Sequence, residues 1–361
     1  MKKIRSYARH HQRFLLFAVS GIVAVGFLLL YRLGSLVDGL SAKEYATSIT
    51  PVGWHGIYHQ PFYLPLELVR SAVFFIPHHF GQTLTRLPNA VFGGLTIVIF
   101  AAVLRLWHGA RTAVLATSLF ATSAWVLHVS RLASFDVLYL LTIPALLLVY
   151  VALQRREVRA VTFYGSMLIW GALLYTPGVI WLILYSVYVQ RKAFKSGWQH
   201  FAAWWQRLLY LLAGLIWLPL LITHLTRPGA LKTWLGLPPH LAAPLTLLKH
   251  FAAVFVHLFI RGPQYPDLWL GRAPLLDIFT LAVCLLGIYF YARNWRAARS
   301  RLLGGFFLIG AVLVGLGGPV SLSLLVPLLY LAAATGIAYL LRDWLKVFPL
   351  NPLARSLGIG L

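Results

Sequence analysis

The sequence predicts an all-α fold, a polytopic transmembrane helical bundle of about ten spans with two long outer loops that carry interfacial helices, and three observations predict it. Hydrophobic residues make up 60% of the chain and charged residues 11%, where a soluble domain carries about 25% charged residues; the mean hydropathy is +0.78. The apolar residues gather in runs near the roughly 20 that a bilayer core demands, and backbone groups facing lipid must be satisfied within their own segment, so these runs are helices. The Lys and Arg residues collect in alternate connections, as the positive-inside rule requires.

Taken in order, the first element follows Lys2, Lys3, Arg5, Arg9 and Arg13 and spans about 14–33. No small-x-small cleavage site follows it, so it is expected to be a retained anchor with the N-terminus in the cytoplasm. Further spans are expected at about 88–106, 112–129, 137–153, 160–175, 177–190, 208–224, 275–292, 302–317 and 320–341. The pair at 160–190 is divided at Tyr175-Thr176-Pro177-Gly178, a turn or kink by its Pro and Gly. With this arrangement the inner connections hold Arg105 and Arg111; Arg155, Arg156 and Arg159; Arg191, Lys192, Lys195 and Arg207; Arg293, Arg296, Arg299 and Arg301; and Arg342, Lys346 and Arg355. With the N-terminal five these are 21 of the 31 Lys and Arg residues. The acids Asp38, Glu44, Glu67, Asp136, Asp267 and Asp277 fall outside or at an outer helix end, six of the eight in the chain. Both termini are therefore expected in the cytoplasm, with the protein in the cytoplasmic (plasma) membrane.

The whole chain, 1–361, reads as a single integral membrane domain without internal repeat or low-complexity tract. Its first outer loop covers 34–87, where Pro61 to Ile76 is expected to be a helix near the membrane surface. Its second covers 225–274, where Leu241, Leu245, Leu248, Ala252, Phe255 and Phe259 recur at helical spacing, with Lys249, His250 and His257 off that stripe. That pattern is an interfacial amphipathic helix. The net charge of +23 is accounted for by the inner loops, so nucleic acid is not an expected partner. Cys284 stands alone, so no intrachain disulfide or thiolate metal site follows. The sequence has no Gly-rich phosphate loop, Ser-His-Asp arrangement or H-E-x-x-H motif, which leaves nucleotide use and protease chemistry unsupported.

Outer carboxylates are therefore the scarce chemical resource. Glu44 is the first candidate for catalysis, and an equally good reading makes it the partner of Ser41 in a capping box, since S-x-x-E has that spacing. Asp38 in Asp-Gly suits a turn. Asp136 and Asp277 begin spans, where a negative charge suits a helix N-terminus, and Glu67 is placed to pair with Arg70. Arg131 is placed either to pair with Asp136 or to meet a phosphate. His55, His59, His78 and His79 lack the spacing of a structural zinc site.

Several passages together resemble the glycosyltransferase-C superfamily, in the branch of protein O-mannosyltransferase-like and aminoarabinose-transferase-like integral membrane enzymes. Gly39-Leu40-Ser41-Ala42-Lys43-Glu44-Tyr45-Ala46-Thr47 looks like that family's acidic first-loop motif, with Lys43 in place of the first acid. His59-Gln60-Pro61-Phe62-Tyr63 resembles its His/Lys-Pro-Pro-Leu-Tyr segment, and Arg86-Leu87-Pro88-Asn89-Ala90-Val91-Phe92-Gly93 resembles its R-L-P-S-A-L-F-G entry to a span. Ser130-Arg131-Leu132-Ala133-Ser134-Phe135-Asp136 ends in an acid where the family often has one, and Arg272-Ala273-Pro274-Leu275-Leu276-Asp277 resembles a later segment. The similarity is good over about 34–155 and looser beyond.

The resemblance implies a transferase that takes a sugar from a polyprenyl-phosphate donor at the outer leaflet and gives it to a lipid, glycan or protein acceptor. Glu44 is then expected to be the general base, with Asp136 lining the same cavity, and His59, Arg131, Tyr63 and Arg86 are the expected substrate-binding residues. With the acid pair reduced to one, no obligatory metal is expected, although a divalent metal serves some members of the superfamily. A transporter of a small solute or lipid is the rival reading; transporters place ionisable groups near the midplane and often show paired repeats, whereas here the acids collect at one face.

Overall fold

In a computed structural model of the protein, residues 19–35, 39–48, 61–74, 81–154, 160–199, 203–263, 270 and 272–347 are described. Every regular element among them is helical. The helices are α1 (Val19–Leu30), α2 (Ala42–Ser48), α3 (Leu64–Phe74), α4 (Gly81–His108), α5 (Ala110–Ala121), α6 (Ala124–Arg131), α7 (Asp136–Leu153), α8 (Ala160–Leu173), α9 (Val179–Gln199), α10 (Ala203–Thr226), α11 (Ala230–Trp234), α12 (Pro244–Phe259), α13 (Ile278–Arg293), α14 (Ala298–Gly315) and α15 (Val326–Val347).

The chain is a multi-pass membrane protein. Among the described residues, five helical stretches are long and apolar enough to cross a membrane: α4, α7, Gln206–Thr226 of α10, α14 and Leu322–Val347 around α15. α5 and α6, bent by 62° at their junction, make a sixth if taken as one span. These cover six of the ten expected spans. The other four fall on shorter apolar stretches in α1, α8 and α13, and on α9, whose second half carries Arg191, Lys192 and Lys195. The expected break at Tyr175–Gly178 is present, since α8 ends at Leu173 and α9 begins at Val179.

The core sits on α4, α7 and α15. α7 is apolar on all sides and 83% of it is buried, whereas α10, equally apolar, is 12% buried and lies at the edge of the bundle. A helix apolar all round belongs either in a protein core or against lipid, and these two show both cases. Phe100 of α4 stacks on Phe120 of α5 at 4.3 Å, and Phe120 meets Tyr330 of α15 edge-on at 5.2 Å. α13 and α15 touch backbone to backbone: a Cβ on Gly287 would lie 1.8 Å from the Ala332 carbonyl oxygen, the small-residue contact that lets apolar helices associate in lipid. α12 packs Val254 and Leu258 inward, with Phe251 against Gly315 of α14, and Leu245, Leu248 and Phe255 of the expected stripe, with Leu241 before the helix, are exposed.

Two ends of the bundle are tied differently. At one, Tyr139 near the start of α7 donates to the carbonyl of Pro319 beyond α14 (3.0 Å). At the other, the Arg299 guanidinium of α14 lies 5.0 Å over the Trp107 ring of α4. The first end collects the carboxylates considered below.

Candidate functional site

The site begins with a helix start. Ser41 precedes α2, its hydroxyl accepts from the Glu44 N–H (3.2 Å), and the Ser41 N–H donates to Glu44 Oε2 (3.0 Å). The capping box read from the sequence is therefore formed. Glu44 then reaches across to α4. Arg86 donates from Nε to Oε1 (2.8 Å) and from Nη2 to Oε2 (3.0 Å), and the Ala133 N–H donates to Oε1 (3.0 Å). Four donors thus meet a carboxylate with about four lone-pair sites, and the Glu44 side chain is 2% exposed. Burial pushes its carboxyl up, but the hydrogen bonds from Arg86, Ala133 and Ser41 outweigh burial and hold it below the usual carboxylate range.

Arg86 completes the lock by donating to the carbonyls of Leu33 (3.2 Å) and Gly39 (3.1 Å), and it is 1% exposed. In this geometry the oxygens of Glu44 and the donors of Arg86 meet each other and backbone groups.

A second polar layer fixes the same loop from below. Arg70 of α3 donates to Glu67 Oε1 (2.8 Å), to the Thr47 carbonyl (3.2 Å) and to Asn89 Oδ1 (3.3 Å), with its guanidinium 5.1 Å over the Phe135 ring. Asn89 Nδ2 donates to the Ser134 carbonyl, and the Thr47 hydroxyl donates to the Ala133 carbonyl (2.6 Å). The expected Glu67–Arg70 pair is formed, and burial dominates it from both sides, pushing the Glu67 carboxyl up and the Arg70 guanidinium down. Asn89 and Thr47 were not singled out in sequence; an Asn within the apolar run Leu87–Phe92 was the available signal.

The second carboxylate is differently placed. Asp136 opens α7, and its Oδ2 accepts from Lys43 Nζ (3.0 Å) and from the Ser134 hydroxyl (2.9 Å). The Asp136 side chain is 9% exposed and that of Lys43 39%, so the lysine lies over the aspartate and meets the surroundings itself. Arg131, read as a partner for Asp136 or for a phosphate, donates to the Tyr31 carbonyl rather than to Asp136, and its buried Nε has no partner in the described residues. Lys43, seen in sequence only as a departure from a motif, takes the place expected for Arg131.

Tyr63 packs on Phe135, the residue before Asp136. Its ring stacks on Phe135 at 4.1 Å and 6°, its hydroxyl lies 3.3 Å from that of Tyr139, and its N–H donates to the Tyr175 carbonyl (2.8 Å). Burial, with the Asp136 charge adding to it, pushes the phenol up to about 12. Tyr63 holds φ at +65°, an uncommon conformation for a bulky residue. His59, the remaining expected substrate-binding residue, lies outside the described residues. Asp277 caps α13 by accepting from the Thr280 N–H (2.9 Å), as its position predicted. Among the described residues no three His, Cys, Asp or Glu side chains gather to hold a metal ion.

Close approach makes the assembly possible. Gly93 of α4 faces Ser130 at the end of α6, where a Cβ would lie 2.3 Å from the serine Cβ. This contact brings the segment 132–135 onto α4, within reach of Glu44 and Asn89.

No protein-family model matches the chain, and no curated protein matches it closely in sequence. Among solved structures it is similar to ArnT from Cupriavidus metallidurans. The apo form aligns with 93% of this chain at a TM-score of 0.59 and 13% identity, and the form bound to undecaprenyl phosphate aligns with 96% at 0.60 and 13%. This chain spans 62% of the length of each. At that identity the likeness shows a shared fold.

Proposed function

We propose that this chain is a membrane glycosyltransferase that moves a sugar from a polyprenyl-phosphate donor to an acceptor at the outer face of the cytoplasmic membrane. The observation that carries the reading is the match along nearly the whole chain to ArnT in its undecaprenyl phosphate complex. The gathering of scarce carboxylates at one end of the bundle agrees with it. That end would face outward by the distribution of Lys and Arg, and a lipid donor would reach it from the bilayer.

Within this reading the chemistry falls to Asp136. It is the carboxylate with an exchangeable partner, and as general base it would take the proton of the acceptor hydroxyl as that oxygen attacks the anomeric carbon. The bond from the anomeric carbon to the phosphate oxygen breaks, and the lipid phosphate leaves. Glu44 and Arg86 act as a fixed frame, holding α2 and the segment 132–135 in register. Tyr63 is taken as a contact for the sugar, and Arg131 and His59 as further contacts for the phosphate. The proposal includes no obligatory divalent ion, with Glu44 paired to Arg86 and Asp136 to Lys43.

Purified protein in nanodiscs, supplied with a panel of undecaprenyl-phosphate sugars and with extracted envelope lipids and glycans as acceptors, should release undecaprenyl phosphate. No release from any donor, together with unchanged envelope lipids, glycans and proteins by mass spectrometry in a strain lacking the gene, would overturn the proposal.

A further inference from the structure

Lys43 stands beside both Glu44 and Asp136, and its surroundings give it a task. It sits one residue before Glu44, whose four hydrogen bonds fix α2 against α4 and Ala133, so the stem of Lys43 springs from a rigid base. Its ammonium has three donors and spends one on Asp136 Oδ2 at 3.0 Å, while 39% of the side chain remains exposed. A partly exposed Lys–Asp pair is weakly held, and a lysine is a compact charge on a flexible stem. The pair is thus exchangeable in a way that the buried Glu44–Arg86 pair is not.

Resting on the glycosyltransferase reading above, we infer that Lys43 is the group that recognises the donor phosphate, and that its transfer from Asp136 to the phosphate uncovers the catalytic carboxylate. Without donor, Lys43 covers Asp136 and keeps its Oδ2 occupied. When a sugar phosphodiester arrives, Lys43 turns to the phosphate oxygens, and Asp136, still oriented by the Ser134 hydroxyl (2.9 Å), is free to accept a proton.

The charges balance through the step. A phosphodiester of charge −1 and the Asp136 carboxylate become a lipid phosphate monoester of charge −2 and a neutral carboxylic acid, as the acceptor O–H proton passes to Asp136. The phosphate beside Lys43 gains a charge as the carbon–oxygen bond breaks, so the ammonium binds the departing group more strongly than the intact donor. That difference lowers the barrier.

The test is a double-mutant cycle on binding of fluorescent undecaprenyl phosphate to the full-length protein in nanodiscs, with fluorescent undecaprenol as the phosphate-free control. Lys43→Gln should weaken binding by roughly 10- to 100-fold, as for loss of a hydrogen bond to a charged group, and leave undecaprenol binding unchanged. Asp136→Asn should abolish transfer yet tighten phosphate binding by a few-fold, because it removes the competitor for Lys43. In the double variant that gain should vanish, and Lys43→Arg should restore part of the affinity. Wild-type protein that binds undecaprenyl phosphate and transfers sugar, but whose affinity is indifferent to Lys43→Gln or falls with Asp136→Asn, would overturn the inference and leave the transferase reading standing. Wild-type protein that does not bind undecaprenyl phosphate would remove both.

Discussion

Glu44 and Arg86 face each other through two parallel hydrogen bonds of 2.8 and 3.0 Å, although 42 residues separate them in sequence. This bidentate geometry fixes orientation as well as distance, and it is sealed from the surroundings on both sides. The pair converts a short helix in a polar loop into a rigid extension of the membrane bundle.

Breaking that pair should cost the fold before it costs the chemistry. Glu44→Gln leaves the Arg86 charge buried without its counter-ion, a loss of about 3–5 kcal/mol. Thermal unfolding in detergent should show a marked drop in midpoint, and transfer should fall in parallel with the folded fraction. Unchanged stability with abolished transfer would return the base to Glu44.

Acid should release α2. The Glu44 carboxyl is held below its ordinary value of 4.5, so its contribution is fully present above pH 4.5 and is lost as the pH falls through the lower folded value. Protection of the amides of residues 42–48 from hydrogen exchange, relative to their intrinsic rates, should therefore hold at neutral pH and fall as the pH drops below 4.5, and that fall should be absent in Glu44→Gln.

Asp136→Asn should separate chemistry from stability. Its ion pair with Lys43 is partly exposed, so removing it costs about 0–1 kcal/mol, and the melting midpoint should barely move. As the proposed base its loss should lower kcat by about 10²- to 10⁴-fold, without raising the KM for the lipid donor.

Gly93 should tolerate no side chain unless Ser130 yields. Gly93→Ala forces a Cβ to 2.3 Å from the serine Cβ, an overpacking cost of about 1–3 kcal/mol, and it pushes the segment 132–135 away from α4. Ser130→Gly in the same chain should restore most of both stability and transfer. If the single variant melts like wild type, the two helices are not held at this distance.

Tyr63 should be sensitive to backbone before hydroxyl. Tyr63→Phe keeps the stack on Phe135 and loses one hydrogen bond at 3.3 Å, worth about 0.5–1.5 kcal/mol. Tyr63→Ile must hold a β-branched side chain at φ +65°, a strained conformation, and should destabilise the protein more than Tyr63→Phe in the same melt.

The sequence carried the helical bundle and the neighbourhood of the site, but not the partnerships inside it. Apolar runs betrayed the spans because lipid imposes a length and forbids charge, and the S-x-x-E spacing betrayed the cap because both partners lie on one turn. The Glu67–Arg70 pair was legible for the same reason. Glu44–Arg86 and Lys43–Asp136 were not, since no local rule joins residues 42 and 93 positions apart. Arg131 was closer to Asp136 in sequence than Lys43, yet α6 directs it to the Tyr31 carbonyl. Both carboxylates are buried, and what separates them is the exposure of their partners, 39% for the Lys43 side chain against 2% for that of Arg86, which is a property of the whole bundle.

The bond from the Ala133 N–H to Glu44 spans 89 residues, and it sets a clock on synthesis. A ribosome adds about 5–20 residues per second, so Glu44 emerges roughly 5–20 seconds before its last donor exists. Arg86 arrives midway, with the hydrophobic segment that carries it into the bilayer. Until α4 is inserted and residues 132–135 have followed, the Glu44 carboxylate lacks its full set of donors. Completion of the site therefore reports that the intervening helices have been threaded in the right sense, and a chain halted before Ala133 leaves it unfinished.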